Sequence, residues 1–168
     1  MTGTGTATTI QAQRLGLTSF DALQDATFAS ATATTRASFP EEQRLRGEDL
    51  LEFLHYKRNA VVSTTRMDLR PHSTVATYLV YAYQFWLPTV AGAVRARHAR
   101  SLPYASLIIQ EGEGDGHVVV LVEGTVTIVH RPAAGVLATY EARFGRSPSW
   151  VNAWLVLDPQ RLLSFTDK

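Results

Sequence analysis

The sequence predicts a mainly β (α+β) domain, an antiparallel barrel with helices packed outside it. Three observations carry this expectation. About seven short segments are rich in Val, Ile, Thr and aromatic residues, several are joined by tight turns, and no strand–helix–strand–helix alternation runs along the chain. A length of 168 residues suits one such domain with a core of its own.

Taken in order, residues 1 to about 40 are rich in Thr, Ala and Ser and carry no sustained period. They are expected to be a mostly flexible or partly helical extension, with a short helix around Ser19 to Phe28 where Ser19 can cap. The barrel domain is expected over 41–168. It opens with GEDLLEFLHY, whose early acids and broad apolar face of Leu50, Leu51, Phe53 and Leu54 predict a helix from Gly47. Asn59–Thr65 and His72–Val80 read as two strands of a hairpin around the turn Met67-Asp68-Leu69-Arg70, with Leu69 where a turn often places Gly.

Tyr83–Leu87 reads as a third strand that Pro88 ends, and a basic helix follows. Ala105–Gln110 is a strand, EGEGDG a turn, and His117–His130 a long strand whose Val118, Val120, Val122, Val126 and Ile128 share one face at period two. Pro132 suits a first helical position, so a helix is expected from there to about Phe144, closed by Gly145. Ala153–Leu157 and Leu162–Phe165 read as two short strands around an Asp158-Pro159 turn.

Composition excludes several functions. A net charge of +1 gives no whole-chain field for nucleic acid, and no run of about 20 apolar residues suits a bilayer. The absence of Cys removes disulfides and thiolate chemistry. The start lacks a cationic region followed by an apolar core, so the cytoplasm is the expected location. His55, His72, His98, His117 and His130 come from five different elements without metal-ligand spacing, so no metal site is expected. There is no GxSxG elbow, and GEGDG lies between two strands rather than before a helix, which argues against a dinucleotide fingerprint.

The stretch with chemistry in it is Phe85–Leu102, FWLPTVAGAVRARHARSL. A helix starting after Ala91-Gly92-Ala93 aims free N–H groups at one spot beside cations, which suits a phosphate. Arg95 and His98 share one helix face while Arg97 and Arg100 share another, and Thr89 offers a hydroxyl. The alternative is a solvated cationic face. Trp86, Trp150, Trp154, Tyr78, Tyr81 and Tyr83 offer either stacking surfaces for a flat ring or ordinary core packing.

The order FLHYKRNAVVSTT, RPHSTVATYLV, FWLP, AVRARHARSLPYASLIIQ and VVVLVEGTVTIV resembles the flavin- and deazaflavin-binding split-barrel superfamily that includes the pyridoxamine-5'-phosphate-oxidase-like proteins. The resemblance implies a split barrel and a homodimer with the cofactor, FMN or the deazaflavin coenzyme F-420, at the subunit interface. It implies hydride transfer to a small-molecule substrate, conjugated or imine-like; no catalytic acid is assigned, and Tyr78 and His72 qualify only if they face the ring within hydrogen-bond reach. It places phosphate contacts on Arg95, Arg97 and His98, to which the Thr89 hydroxyl before the helix is added from the residues themselves, and puts Ser73, Thr74, Val75 and Tyr78 along the ring and ribityl chain. His98 stands where the family usually has Asn. The alternative it leaves open is a non-redox member that binds a flavin, haem or metabolite, or cofactor-independent chemistry in the same groove.

Overall fold

A computed structural model of the chain describes residues 19–112 and 116–167. The strands are β1 (Asn59–Thr65), β2 (Pro71–Thr77), β3 (Leu79–Tyr81), β4 (Gln84–Thr89), β5 (Tyr104–Glu111), β6 (Val118–Val129) and β7 (Ala153–Thr166). All pair antiparallel in one sheet of order β2-β1-β5-β6-β7-β4-β3. The sheet curls into a split half-barrel, so that β2 at one edge touches β4 near the other. The α-helices are α1 (Phe20–Ala29), α2 (Ala33–Ser38), α3 (Gly47–Tyr56), α4 (Val94–Ser101) and α5 (Ala134–Phe144), with a 3-10 turn at Glu41–Gln43. Among the described residues no helix is long and apolar enough to cross a membrane.

Strand alternation sets the core. Ala60, Val62, Ala105, Leu107, Ile109, Val118, Val120, Val122 and Val126 point inward at period two, as the sequence predicted for the long strand. The last two expected strands are instead one, β7. Asp158-Pro159 is not a turn but a bulge, where the register slips between Glu123↔Arg161 and Gly124↔Pro159 and leaves Gln160 as an extra residue. The slip switches the inward parity from Leu155 and Leu157 to Leu162 and Ser164. Gly124 is required there, because a Cβ would stand 2.0 Å from Asp158 O.

Conversely, the expected strand His72–Val80 is divided into β2 and β3 at Tyr78, whose N–H donates to Arg58 O (3.1 Å). Pro88 does not end β4, which continues to Thr89. By then β3 has ended at Leu79 opposite Trp86, so Pro88 has β7 alone as a neighbour. Helix α5 starts at Ala134 behind an Ala133 cap, two residues after the expected Pro132. It covers the outer face of β3, β4 and β7 through Val136 and Tyr140 against Leu79, Trp86, Trp154 and Val156.

Of the expected lead-in, residues 1–18 lie outside the described residues, and 20–29 and 33–38 are helices. Ser19 caps α1 by accepting from Ala22 N (3.3 Å), and Phe20 and Leu23 join the main core. A buried polar seam then ties α1 to β7. Gln24 Nε2 donates to Leu45 O (2.9 Å), Ser164 Oγ donates to Gln24 Oε1 (2.6 Å), and Thr27 Oγ1 accepts from Leu162 N (3.0 Å). Where β4 no longer reaches β7, a helix side chain satisfies the strand's backbone.

Two outcomes follow from this packing. Gln24→Ala removes two buried hydrogen bonds and opens a cavity, leaving the Ser164 hydroxyl and the Leu45 carbonyl only each other (3.1 Å), so it should lower stability by about 1–3 kcal/mol. Urea unfolding reads this, and unchanged stability would place α1 outside the cooperative core. Leu69 holds φ +66° at the hairpin turn, where Leu69 N donates to Arg66 O (2.9 Å), and is 74% exposed. Leu69→Gly should therefore raise stability by about 0.5–1 kcal/mol, the relieved strain less the added unfolded-state entropy. The check is a higher urea midpoint at unchanged m-value.

Candidate functional site at the start of α4

The chain leaves β4 at Thr89 and enters α4 after Ala91-Gly92-Ala93. Asn152 fixes this corner: its Oδ1 accepts from Ala91 N (2.7 Å) and its N–H donates to Thr89 O (3.3 Å). Ala93 occupies the cap position and no side chain caps the helix, so its first N–H groups are left for another acceptor. Ala96 and Ala99 are buried where α4 packs over β1 and β6, which turns the arginines to the sides.

Arg95 lies half-buried over the end of β4, with NH2 donating to Pro88 O (3.0 Å). Burial lowers its pKa, because desolvation disfavours the charged guanidinium. Among the described residues, five buried side-chain polar atoms have no partner: Thr74 Oγ1, Trp86 Nε1, Thr89 Oγ1, Arg95 Nε and Arg143 Nε. Three of the five belong to residues the sequence assigned to a phosphorylated ligand. Thr89 and Thr74 both lie on inward faces, one on each of the two strands that meet across the half-barrel. Two hydroxyls, an unpaired guanidinium N–H and an uncapped helix start are donors of the kinds a phosphate takes.

The remaining assigned residues are dispersed. His98 Nδ1 lies 3.0 Å from Thr64 Oγ1, over β1 rather than β4, so Arg95 and His98 serve different neighbours although they share a helix face. Arg97 is exposed, and Arg100 donates to Ala91 O (2.9 Å), bracing the corner. On β2, period two separates the expected ring-lining set. Thr74 points inward, whereas Ser73, bonded to Ser63 Oγ (2.7 Å), and Val75, 70% exposed, point outward.

Tyr78 lies in the main core and is wholly buried, its hydroxyl donating to Leu54 O (2.8 Å) at the end of α3. Burial raises its pKa far above the ordinary tyrosine value despite the Arg143 guanidinium 5.3 Å over the ring. Placed this way it braces α3 and does not line a groove. Trp86 and Trp154 are likewise packed under α5, while Trp150 is half-exposed, two residues from Asn152.

Sequence reasoning passed over Thr64. Its register opposite His72 was available from the hairpin pattern, but the contact with α4 was not. The outer face of β2, β1, β5, β6 and β7 is open, and the pairing aligns Val75, Val61, Ile108, Leu121 and Leu163 in one row across it. A cleft of about 570 Å³ lies elsewhere, between α3 and the ends of β5, β6 and β7. Asp49, Glu52 and Glu111 line it, which makes it unsuited to an anion. Among the described residues no three His, Asp or Glu side chains are grouped as metal ligands.

Comparison with solved structures gives the same fold. A conserved hypothetical protein of Mycobacterium tuberculosis superposes with a TM-score of 0.69 at 22% identity, over 77% of this chain and 90% of the other. The haem storage protein HutZ of Vibrio cholerae gives 0.58 at 18%, over 71% and 93%. An FAD-binding protein of Mycobacterium smegmatis gives 0.57 at 16%, over 74% and 98%. No curated protein sequence matches the chain. The sequence profile of the pyridoxamine 5'-phosphate oxidase family, however, matches residues 47–166, from the first residue of α3 to the last of β7, and the chain belongs to that family.

Proposed function

We propose that the chain is an oxidoreductase that holds a flavin-type cofactor, FMN or the deazaflavin F-420, by its phosphate at the start of α4, and reduces a small conjugated or imine-like substrate. One observation carries this reading: the unpaired buried atoms of Thr74, Thr89 and Arg95 fall on residues where the sequence predicts cofactor contacts. The fold likeness to an FAD-binding protein supports the flavin class. When bound, the cofactor supplies the hydride chemistry. The chain supplies the rest: Arg95 neutralises the phosphate, Thr89 and Thr74 donate hydroxyls, and Arg100 and Asn152 hold the corner so that the donors stay preorganised.

The site is completed by a second copy of the chain. Support comes from the outer sheet face, where Val75 is 70% exposed and its row of aliphatic neighbours is only partly buried within one subunit. A second reading, a binder of haem or a metabolite without turnover, is favoured by His72 and His98, whose rings meet edge-on at 5.3 Å beside α4. It also draws on the fold likeness to a haem storage protein. An absorbance spectrum of the purified protein separates the two, since flavin, deazaflavin and haem bands differ. No uptake of FMN, FAD or deazaflavin on titration would overturn the first reading.

Two substitutions test the anchor. Arg95→Ala should weaken cofactor binding by about 1.5–3 kcal/mol, the range for a charged hydrogen bond; an unchanged dissociation constant moves the phosphate elsewhere. Thr89→Val should separate stability from binding. Removing an unpaired buried hydroxyl raises the stability of the cofactor-free protein by about 1 kcal/mol, while the same change weakens the cofactor. A destabilised variant that binds normally would assign the hydroxyl a purely structural partner.

A further inference from the structure

Further along α4 than Arg95, over β1 and β2 rather than β4, lies a second group of basic side chains. His98 reaches down to Thr64 on β1, and its ring stands 5.3 Å from that of His72 on β2 at 86°. Only Nδ1 of His98 is engaged, and the His72 ring nitrogens have no hydrogen-bond partner among the described residues. Arg66, at the end of the same hairpin, and Arg97, on α4, are both exposed, and both act electrostatically on His98. The acid acting on this group is Asp68, and it is already held by Arg70 through Nε (2.8 Å) and NH2 (2.6 Å). Two half-buried imidazoles and two unpaired guanidiniums thus converge with one carboxylate that is spoken for.

We infer that His72, His98, Arg66 and Arg97 form a second oxyanion site, separate from the Arg95 corner, which takes a phosphate or carboxylate group of a small-molecule ligand. The two anchors lie on different neighbours of α4. Arg95 stands over the end of β4, and His98 over β1 and β2. A ligand with one acidic group can use either, and a ligand with two spans the helix. The inference does not depend on the identity of the group at Arg95.

The electrostatics give the site a pH signature. Partial burial, then the charges of His72, Arg66 and Arg97, lower the pKa of His98, and Asp68 alone opposes them. An oxyanion in the cluster reverses the sign, because it favours the protonated ring, whose Nε2–H becomes a donor. Oxyanion binding and imidazole protonation are therefore linked. Affinity rises as pH falls through the His98 titration and is lost above it.

The experiment is an NMR titration of the imidazole resonances of the full chain without cofactor, in sodium chloride and in phosphate or glutarate at matched ionic strength. Phosphate or glutarate is expected to raise the titration midpoint of His98 above its value in chloride. A response to phosphate alone assigns the phosphate class, and a response to glutarate assigns the carboxylate class. The double variant Arg66→Gln, Arg97→Gln, changed at exposed positions, should weaken the response about tenfold or more, while Arg95→Ala leaves it in place. A midpoint that does not move with either anion overturns the inference. So does a response that survives the double variant and vanishes in Arg95→Ala, since it reports the corner alone. Failure to bind flavin leaves this result readable, because no arm of the titration contains a cofactor.

Discussion

The close approach of the Gly124 backbone to the Asp158–Pro159 peptide, at a bulge in the β6–β7 pairing, sets the curvature on which the rest of the structure depends. A proline inside a paired strand removes a ladder donor, and the extra Gln160 forces one strand to bend against the other. Only a residue without a side chain fits opposite, since a Cβ at position 124 would collide with Asp158 O. The bend lets β7 serve two environments: its first half pairs with β4, and its second half turns Leu162 and Ser164 under α1.

That division of labour explains both ends of the molecule. Because β4 pairs only with Ala153–Leu157, the N–H of Leu162 needs another acceptor, and Thr27 of α1 provides it. The N-terminal helix is therefore part of the core rather than an appendage. At the other end of β4, the last paired residue is Thr89 opposite Ala153, and the chain turns at once into α4. The corner is thereby held from two sides, by Asn152 ahead of β7 and by Arg100 one helix turn beyond Arg97. Its rigidity comes from the same strand that carries the bulge.

Much of this was legible in the sequence, and the failures share a cause. Period two gave the inward face of β6, and the acids and apolar stripe of GEDLLEFLHY gave α3 almost to the residue. The turn residue Leu69 was recognised as standing in a glycine's place, and its positive φ bears this out. Proline was overread three times. Pro88 and Pro159 lie within strands, at places where a neighbour has ended or a bulge absorbs the missing donor, and Pro132 precedes its helix by two residues. None of these contexts is local, so no window of sequence contains them. Tyr78 shows the same limit: the resemblance set it beside Thr74 along the cofactor, and only tertiary packing decides that its hydroxyl meets α3.

The energetics of the site argue that its polarity is kept for a ligand. An unpaired buried donor or acceptor costs about 1–3 kcal/mol, so the three at Thr74, Thr89 and Arg95 together cost roughly 3–9 kcal/mol. A domain holds only about 5–15 kcal/mol of net stability, and isosteric apolar residues would relieve most of that burden. Elsewhere the chain pairs most of its buried polar groups, as the Gln24–Ser164–Leu45 seam does, with Trp86 Nε1 and Arg143 Nε the other exceptions among the described residues. The three at Thr74, Thr89 and Arg95 lack a balancing partner among the described residues. On the proposed reading, a phosphate supplies it, and binding then returns to the fold the stability that the empty donor set withholds.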